Sequence, residues 1–347
     1  MTPTNRNRLV SVLAASVLGA SAIAGCASGG TSNESNGQSG SASPDSAGAE
    51  TSPADETYRI AFIPGISSDP FFGAMEIAAE EEATALGVEL VYQGSSAEYS
   101  PQAQLPFIDS AIADGVDAII IAATDADALQ TPVDRAIELG IPVVTVDTSV
   151  TNQDNLVAHI TGDNKDGGSK AAETMAELIG GEGKVFIISG SPTITTDTLR
   201  VEGFEEAIET NFPAIEIVGV DYAYSQPSEA TTKVAAALLN NPDIKGIFSA
   251  EGNAGVGAVA ALRDANLTGD VVLIGYDAYQ NQVEELEDGI YTALIAQDPG
   301  QEARLALQAA IAAIQGEEAA ATSVVVPNVV MTQDNLEETR IYTYASK

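Results

Sequence analysis

Ala118–Asp147 reads AIIIAATDADALQTPVDRAIELGIPVVTVD, and it decides the fold. Ala118–Ala122 is apolar without alternation, as in a strand covered on both faces. Ala126–Leu139 then carries apolar residues at helical spacing, and Gly140 closes it. Pro142–Val146 is a second β-branched run, ending in Asp147. Strand, helix and strand in this order make a right-handed βαβ unit, which builds a parallel sheet.

The same alternation extends in both directions. Upstream, Arg59–Ile63 reads as a strand, Phe71–Leu86 as a helix, Val88–Tyr92 as a strand and Pro101–Ala113 as a helix. Downstream, the spacing predicts strands at Leu156–Ile160, Val185–Ser189, Ile215–Val220, Gly246–Ser249, Val271–Gly275, Tyr291–Ile295 and Ser323–Val326. Helices are expected between them, at Asp166–Ile179, Leu199–Thr210, Ser228–Leu239, Ala254–Ala265, Gln280–Glu287 and Gln301–Ile314. These strands are too many for one comfortable sheet, and Thr161–Asp166 reads as a crossover. The expected architecture is therefore α/β, with two doubly wound parallel-sheet lobes.

In such sheets ligands sit beyond the carboxyl ends of the strands. The residues found there are Asp69-Pro-Phe-Phe72, Asp147 with Thr148, the polar loop Gly190–Thr198, Glu251-Gly-Asn253, Tyr276-Asp277 and Gln297-Asp298. Carboxylates, amides, hydroxyls and two phenyl rings converge without His or Cys. His159 is the only histidine and reads as a packed strand residue, and Cys26 is the only cysteine, so a His/Cys metal site is excluded. A Ser-His-Asp or Cys-His device has no base to work with at the strand ends. The phosphate-binding loop and the dinucleotide fingerprint are absent, since Gly252–Gly257 has the wrong glycine order. No cofactor is expected. A glycosidase using Asp147 and Asp277 as its carboxylate pair stays open on spacing alone. A sugar or polyol fits the set better: its hydroxyls donate to carboxylates and its C–H faces lie on aromatic rings. Phe71 and Phe72 would then sit at a helix start, at least one ring turned to the cleft.

The first 25 residues read as an export signal: Arg6 and Arg8 precede the apolar run Leu9–Ala24. Ile23-Ala24-Gly25-Cys26 resembles a bacterial lipobox, which makes Cys26 the expected lipidation site. Residues 26–57 are then the lipidated cysteine and a Ser/Gly/Asn/Ala-rich linker too poor in apolar residues to fold. The chain is expected outside the cytoplasm, anchored to the cell membrane by its N-terminal lipid. The formal charge of −36 argues against nucleic acid and against anionic lipid surfaces.

Ile60-Ala-Phe-Ile63 with Asp69-Pro-Phe-Phe72, Val146-Asp147, Arg200 with Gly203-Phe204, Gly275-Tyr-Asp277 and Ile295-Ala-Gln297 stand in a familiar order. Over about Arg59–Asn335 the chain resembles the solute-binding proteins of ribose-type sugar ABC importers, the periplasmic-binding-protein type I family. The resemblance implies two lobes joined by three hinge crossovers, with ligand held as the lobes close. It implies lobes of residues 58–160 plus 298–324 and 161–297 plus 325–347. By position it places Asp69, Phe71, Phe72, Asp147 and Thr148 on one wall, and Thr198, Tyr224, Glu251, Asp277 and Gln297 on the other. It implies no enzyme activity, a monomer, and delivery of a sugar or polyol to ABC permease subunits.

The chain also departs from the ribose pattern. Thr148 and Thr198 stand where ribose binders carry Arg, and Asp69 and Glu251 where they carry Asn. Two donors are lost and two acids gained, which argues against ribose and against phosphorylated or acidic sugars. A receptor for an amine-bearing ligand, a nucleoside or an autoinducer-2-like molecule is the alternative. Ser189–Thr193 and Tyr92–Ser96 resemble the autoinducer-2 branch.

Overall fold

The computed structural model describes residues 57–317 and 319–345. The expected export signal, Cys26 and all of the expected linker but Thr57 lie outside them. The first half runs β1 (Arg59–Ile63), α1 (Pro70–Leu86), β2 (Glu89–Tyr92), α2 (Pro101–Asp114), β3 (Ala118–Ile121), α3 (Gln130–Glu138), β4 (Val143–Val146) and β5 (Ala158–Gly162). Next come α4 (Asn164–Ile179), β6 (Gly183–Ser189), α5 (Thr195–Asn211), β7 (Ile215–Tyr222), α6 (Pro227–Asn240), β8 (Ile244–Ser249), α7 (Gly252–Ala265), β9 (Val272–Tyr276), α8 (Gln280–Glu287) and β10 (Ala293–Ala296). The chain ends with α9 (Pro299–Ile314), β11 (Ser323–Val326), β12 (Val329–Met331) and α10 (Leu336–Thr339).

Three helices open on one local device, an acceptor side chain followed by proline. Asp69 before Pro70 accepts from the Phe71 N–H, Ser100 before Pro101 from Ala103, and Asp298 before Pro299 from Gln301. The side-chain oxygen satisfies an N–H that the first turn leaves unpaired, and proline's fixed φ suits that turn. α1 and α2 stop at Gly87 and Gly115, with φ 70 and 64, where a left-handed residue closes the last turn.

Among the described residues the strands form two six-stranded sheets, β2-β1-β3-β4-β5-β11 and β7-β6-β8-β9-β10-β12. Each is the doubly wound 2-1-3-4-5 arrangement with one added edge strand. All pairings are parallel except β10 with β12. The two added strands come from one run, Ser323–Met331. Pro327-Asn328 breaks that run, so β11 completes the first sheet and β12 the second. The chain passes between sheets three times, after β5, after β10 and after β11. α9 follows β10 of the second sheet yet packs on β3, β4, β5 and α1 of the first.

Several boundaries differ from the sequence reading. The antiparallel strand β12 is not anticipated by it. The strand expected at Leu156–Ile160 lies at Ala158–Gly162, and the one expected at Tyr291–Ile295 lies at Ala293–Ala296. The helix expected from Ala126 begins at Gln130, because the Asp125 carboxylate accepts from the Asp127 and Ala128 N–H groups and holds a turn there. The helix expected from Leu199 begins at Thr195.

α4 and α5 cross with almost no side chain between their backbones. A Cβ on Gly168 would lie 2.0 Å from the Arg200 carbonyl oxygen, and one on Gly203 would lie 2.1 Å from that of Lys165. Only glycine fits both positions.

Candidate ligand-binding cleft

The carboxyl ends of β4 and β9 are built alike. The Asp147 N–H donates to the Ile160 carbonyl at 2.8 Å, and the Asp277 N–H to the Ile295 carbonyl at 2.9 Å. Each residue then turns left-handed, with φ 59 and 75. Asp is one of the few side chains that accept this backbone, because it can hydrogen-bond locally. The turn lifts each carboxylate out of its sheet. Both line one cavity.

From the first sheet's side come Asp69, Phe71, Phe72, Tyr99 and Asp147; from the second come Ile194, Thr196, Asp197, Arg200, Ser225, Glu251, Asp277 and Tyr279, with Gln297 at a crossing. The structure thus brings together Asp69, Phe71, Phe72, Asp147, Glu251, Asp277 and Gln297. Three expected positions fall outside the lining. Thr148 is buried beside it. Thr198 donates its hydroxyl to the Ile194 and Thr195 carbonyls within α5. Tyr224 is 62% exposed, because Tyr224 and Ser225 are both left-handed, with φ 52 and 53, and the turn puts Ser225 at the cavity instead.

Sequence reasoning missed Tyr99, Asp197, Tyr279 and Tyr344, and did not count Arg200 among the site residues. Arg200 is 3% exposed and lies in the wall. Its Nε donates to Asn164 Oδ1 at 2.7 Å, Nη1 to the Ala250 carbonyl at 3.0 Å and Nη2 to Gln297 Oε1 at 3.1 Å. Its guanidinium also stacks 3.8 Å above the Tyr276 ring. Asp197 stands one turn earlier on α5, accepting from the Ser191 N–H at 2.7 Å. The Asp-x-x-Arg spacing was the available signal.

The two Phe rings face the cavity and also anchor the core. They meet edge-to-face at 5.2 Å, sit within the first sheet's core and line the cavity. Asp69 also does two things. It caps α1, and its carboxylate spans the gap to accept from Tyr279 OH at 2.8 and 3.0 Å and from Asn253 Nδ2 at 2.9 Å. The two walls are therefore tied together. Asp277 is the hub of the far wall, accepting from the Gly252 N–H, Gln297 Nε2 and Tyr344 OH at 3.0, 2.7 and 2.9 Å.

Residues 60–318 match the profile of the periplasmic binding protein domain. The D-ribose/D-allose-binding protein of Pseudomonas aeruginosa is 30% identical over 270 residues, covering 76% of this chain and 84% of that protein. The xylitol-binding protein of Mycolicibacterium smegmatis is 28% identical, covering 74% of this chain and 72% of that one. An ABC transporter solute-binding protein from Agrobacterium vitis, solved with α-D-tagatopyranose, superposes with a TM-score of 0.80 at 30% identity, covering 84% of this chain and 100% of that one.

The chain belongs to the periplasmic binding protein domain family.

The family is one of binding proteins and not of enzymes. Against that background the acidity of this periplasmic binding protein domain stands out. Burial and the Asp277 charge raise the Asp69 carboxyl to about 6, against the hydrogen bonds from Phe71, Tyr279 and Asn253. Burial lifts Asp147 to about 7, against the Arg200 charge and with help from Asp277. Burial lifts Asp197 to about 6, again against Arg200. Glu251 reaches about 8 through burial and the charges of Asp197 and Asp69. Burial opposes the charge of Arg200, but the surrounding Tyr276, Asp277, Asp197 and Asp147 outweigh it and push the guanidinium above its usual range.

Unfolded Asp and Glu titrate near 4. Between about pH 4 and pH 8 the folded protein therefore holds protons that the unfolded chain has lost, so stability falls as the pH rises through that window. The ligand-free protein is expected to melt several degrees higher at pH 5 than at pH 8. Calorimetric scans at matched ionic strength check this, and a melting temperature that climbs from pH 5 to pH 8 contradicts it.

Proposed function

We propose that this protein is an extracytoplasmic solute-binding lipoprotein that captures a small sugar or polyol between two lobes and delivers it to an ABC importer. The observation that carries the reading is the single cavity walled by strand-end carboxylates from two sheets and floored by a Phe pair. Carboxylates accept from ring hydroxyls, and the phenyl faces take the C–H surface. The P. aeruginosa and M. smegmatis relatives are named for ribose, allose and xylitol, which supports a polyhydroxylated guest.

The lobes are residues 58–160 plus 298–324 and 161–297 plus 325–347, adjusted by two residues where β5 and β11 run on to Gly162 and Val326. Closure bends the three passages after β5, β10 and β11. Titration calorimetry with pentoses, hexoses, inositols and linear polyols tests the reading, with small-angle scattering at saturation. A ligand in this class should bind at micromolar concentration or below and leave the particle more compact. If none of the class binds, the reading fails.

The lipid anchor at Cys26 makes a separate prediction. Expressed in a bacterium fed labelled palmitate, the natural chain takes up label and partitions with membranes, and Cys26→Ser does neither. Equal labelling of both chains removes the anchor from the proposal.

A further inference from the structure

Five carboxylates and one guanidinium line the cavity. They are not equally engaged. Asp69 and Asp277 each accept from several donors of the protein itself. Asp197 accepts from the Ser191 N–H and lies 4.0 Å from Arg200. Asp147 is different: it is 7% exposed, yet among the described residues no group donates to its carboxylate, and only its backbone carbonyl accepts, from Thr161. Glu251 stands on the opposite wall: Ser225 hydrogen-bonds its carboxylate, but its Oε2 is buried and without a partner. Arg200 spends three of its five N–H donors on Asn164, Ala250 and Gln297, and donates to neither carboxylate.

Two carboxylates short of protein donors on facing walls of one cavity call for a group that donates and does not accept. A sugar hydroxyl donates one proton and leaves the excess of acids over the single guanidinium uncompensated. An ammonium brings three donors and no acceptor, and its charge offsets the acid excess. Resting on the function proposed above, we infer that the natural guest is a polyhydroxylated compound bearing a protonated amine, with its nitrogen seated between Asp147 and Glu251. The elevated carboxyl groups agree with this, since a bound cation would let both walls ionise.

The test pairs each amine with its neutral counterpart in calorimetry on the full chain at pH 7.5. The probes are D-glucosamine, D-galactosamine, 1-amino-1-deoxy-D-glucitol and 2-amino-1,3-propanediol. Their partners are D-glucose, D-galactose, D-glucitol and glycerol, with N-acetyl-D-glucosamine as the uncharged amide. At least one amine should bind more than about tenfold tighter than its partner, a coupling in the range of close charge pairs. N-acetylation should abolish that gain. Asp147→Asn and Glu251→Gln should each bring the ratio close to one, with melting temperature confirming that both variants fold. If neutral sugars or polyols bind as tightly as their amines, the inference falls and sugar capture stands. If neither set binds, both fall.

Discussion

Arg200→Met is expected to lower the unfolding free energy by about 3–5 kcal/mol at pH 8, the usual cost of breaking a buried charge cluster from one side. The loss should shrink markedly at pH 5. Among the described residues, Arg200 is the only cation lining a cavity with five carboxylates. Removing it strands Asn164 Oδ1, the Ala250 carbonyl and Gln297 Oε1, and leaves the acids repelling one another without compensation. Arg200 holds Asp147 and Asp197 below where burial alone would set them. Without it they rise further, so their penalty is heaviest where they must ionise and lightest where they are already protonated. Urea denaturation at the two pH values measures both halves. An equal loss at pH 5 and pH 8 would show that Arg200 acts through packing alone.

The second large effect is steric. Gly203→Ala should cost about 3 kcal/mol, at the upper end for overpacking, because the added carbon meets the main chain of α4 and no flexible side-chain tip can yield. α5 also carries Asp197 and Arg200, so forcing the helices apart displaces two cavity residues together. Ligand affinity should fall by more than about tenfold, as small misplacements do in built sites. Gly73→Ala in α1 is the matched control. A Cβ there meets nothing within 4 Å, so it should be neutral or stabilise by up to about 1 kcal/mol. If Gly203→Ala behaves like Gly73→Ala, the close crossing of α4 and α5 is wrong.

Much of the arrangement could be read from the chain, for reasons that differ by residue. Asp147 and Asp277 end apolar β runs, and a strand's end is fixed by the change from apolar to polar. Asp69 is legible because Asp-Pro marks a helix start. Thr198 failed for want of helical phase. The turn begins at Thr195 and not at Leu199, and successive residues of a helix point about 100° apart, so a few residues' error turns a different face to the cleft. Asp197 and Arg200 take that face. Tyr224 failed because two consecutive left-handed residues of ordinary type leave no local signature. Tyr99, Tyr279 and Tyr344 arrive by tertiary packing, which no spacing along the chain reports.

Tyr344 gives the C-terminal segment a significance of its own. Its hydroxyl reaches Asp277 and its ring lies 5.8 Å from both Phe71 and Tyr279, so a residue near the end of the chain touches both sides of the crevice. Nearby Ile341 stands 81% exposed. A fluorophore on Ile341→Cys, in a chain whose native thiol is confined to Cys26, would be positioned to change brightness as the crevice opens and shuts. The segment around Ile341 is therefore a natural mounting point for a reagentless optical sensor.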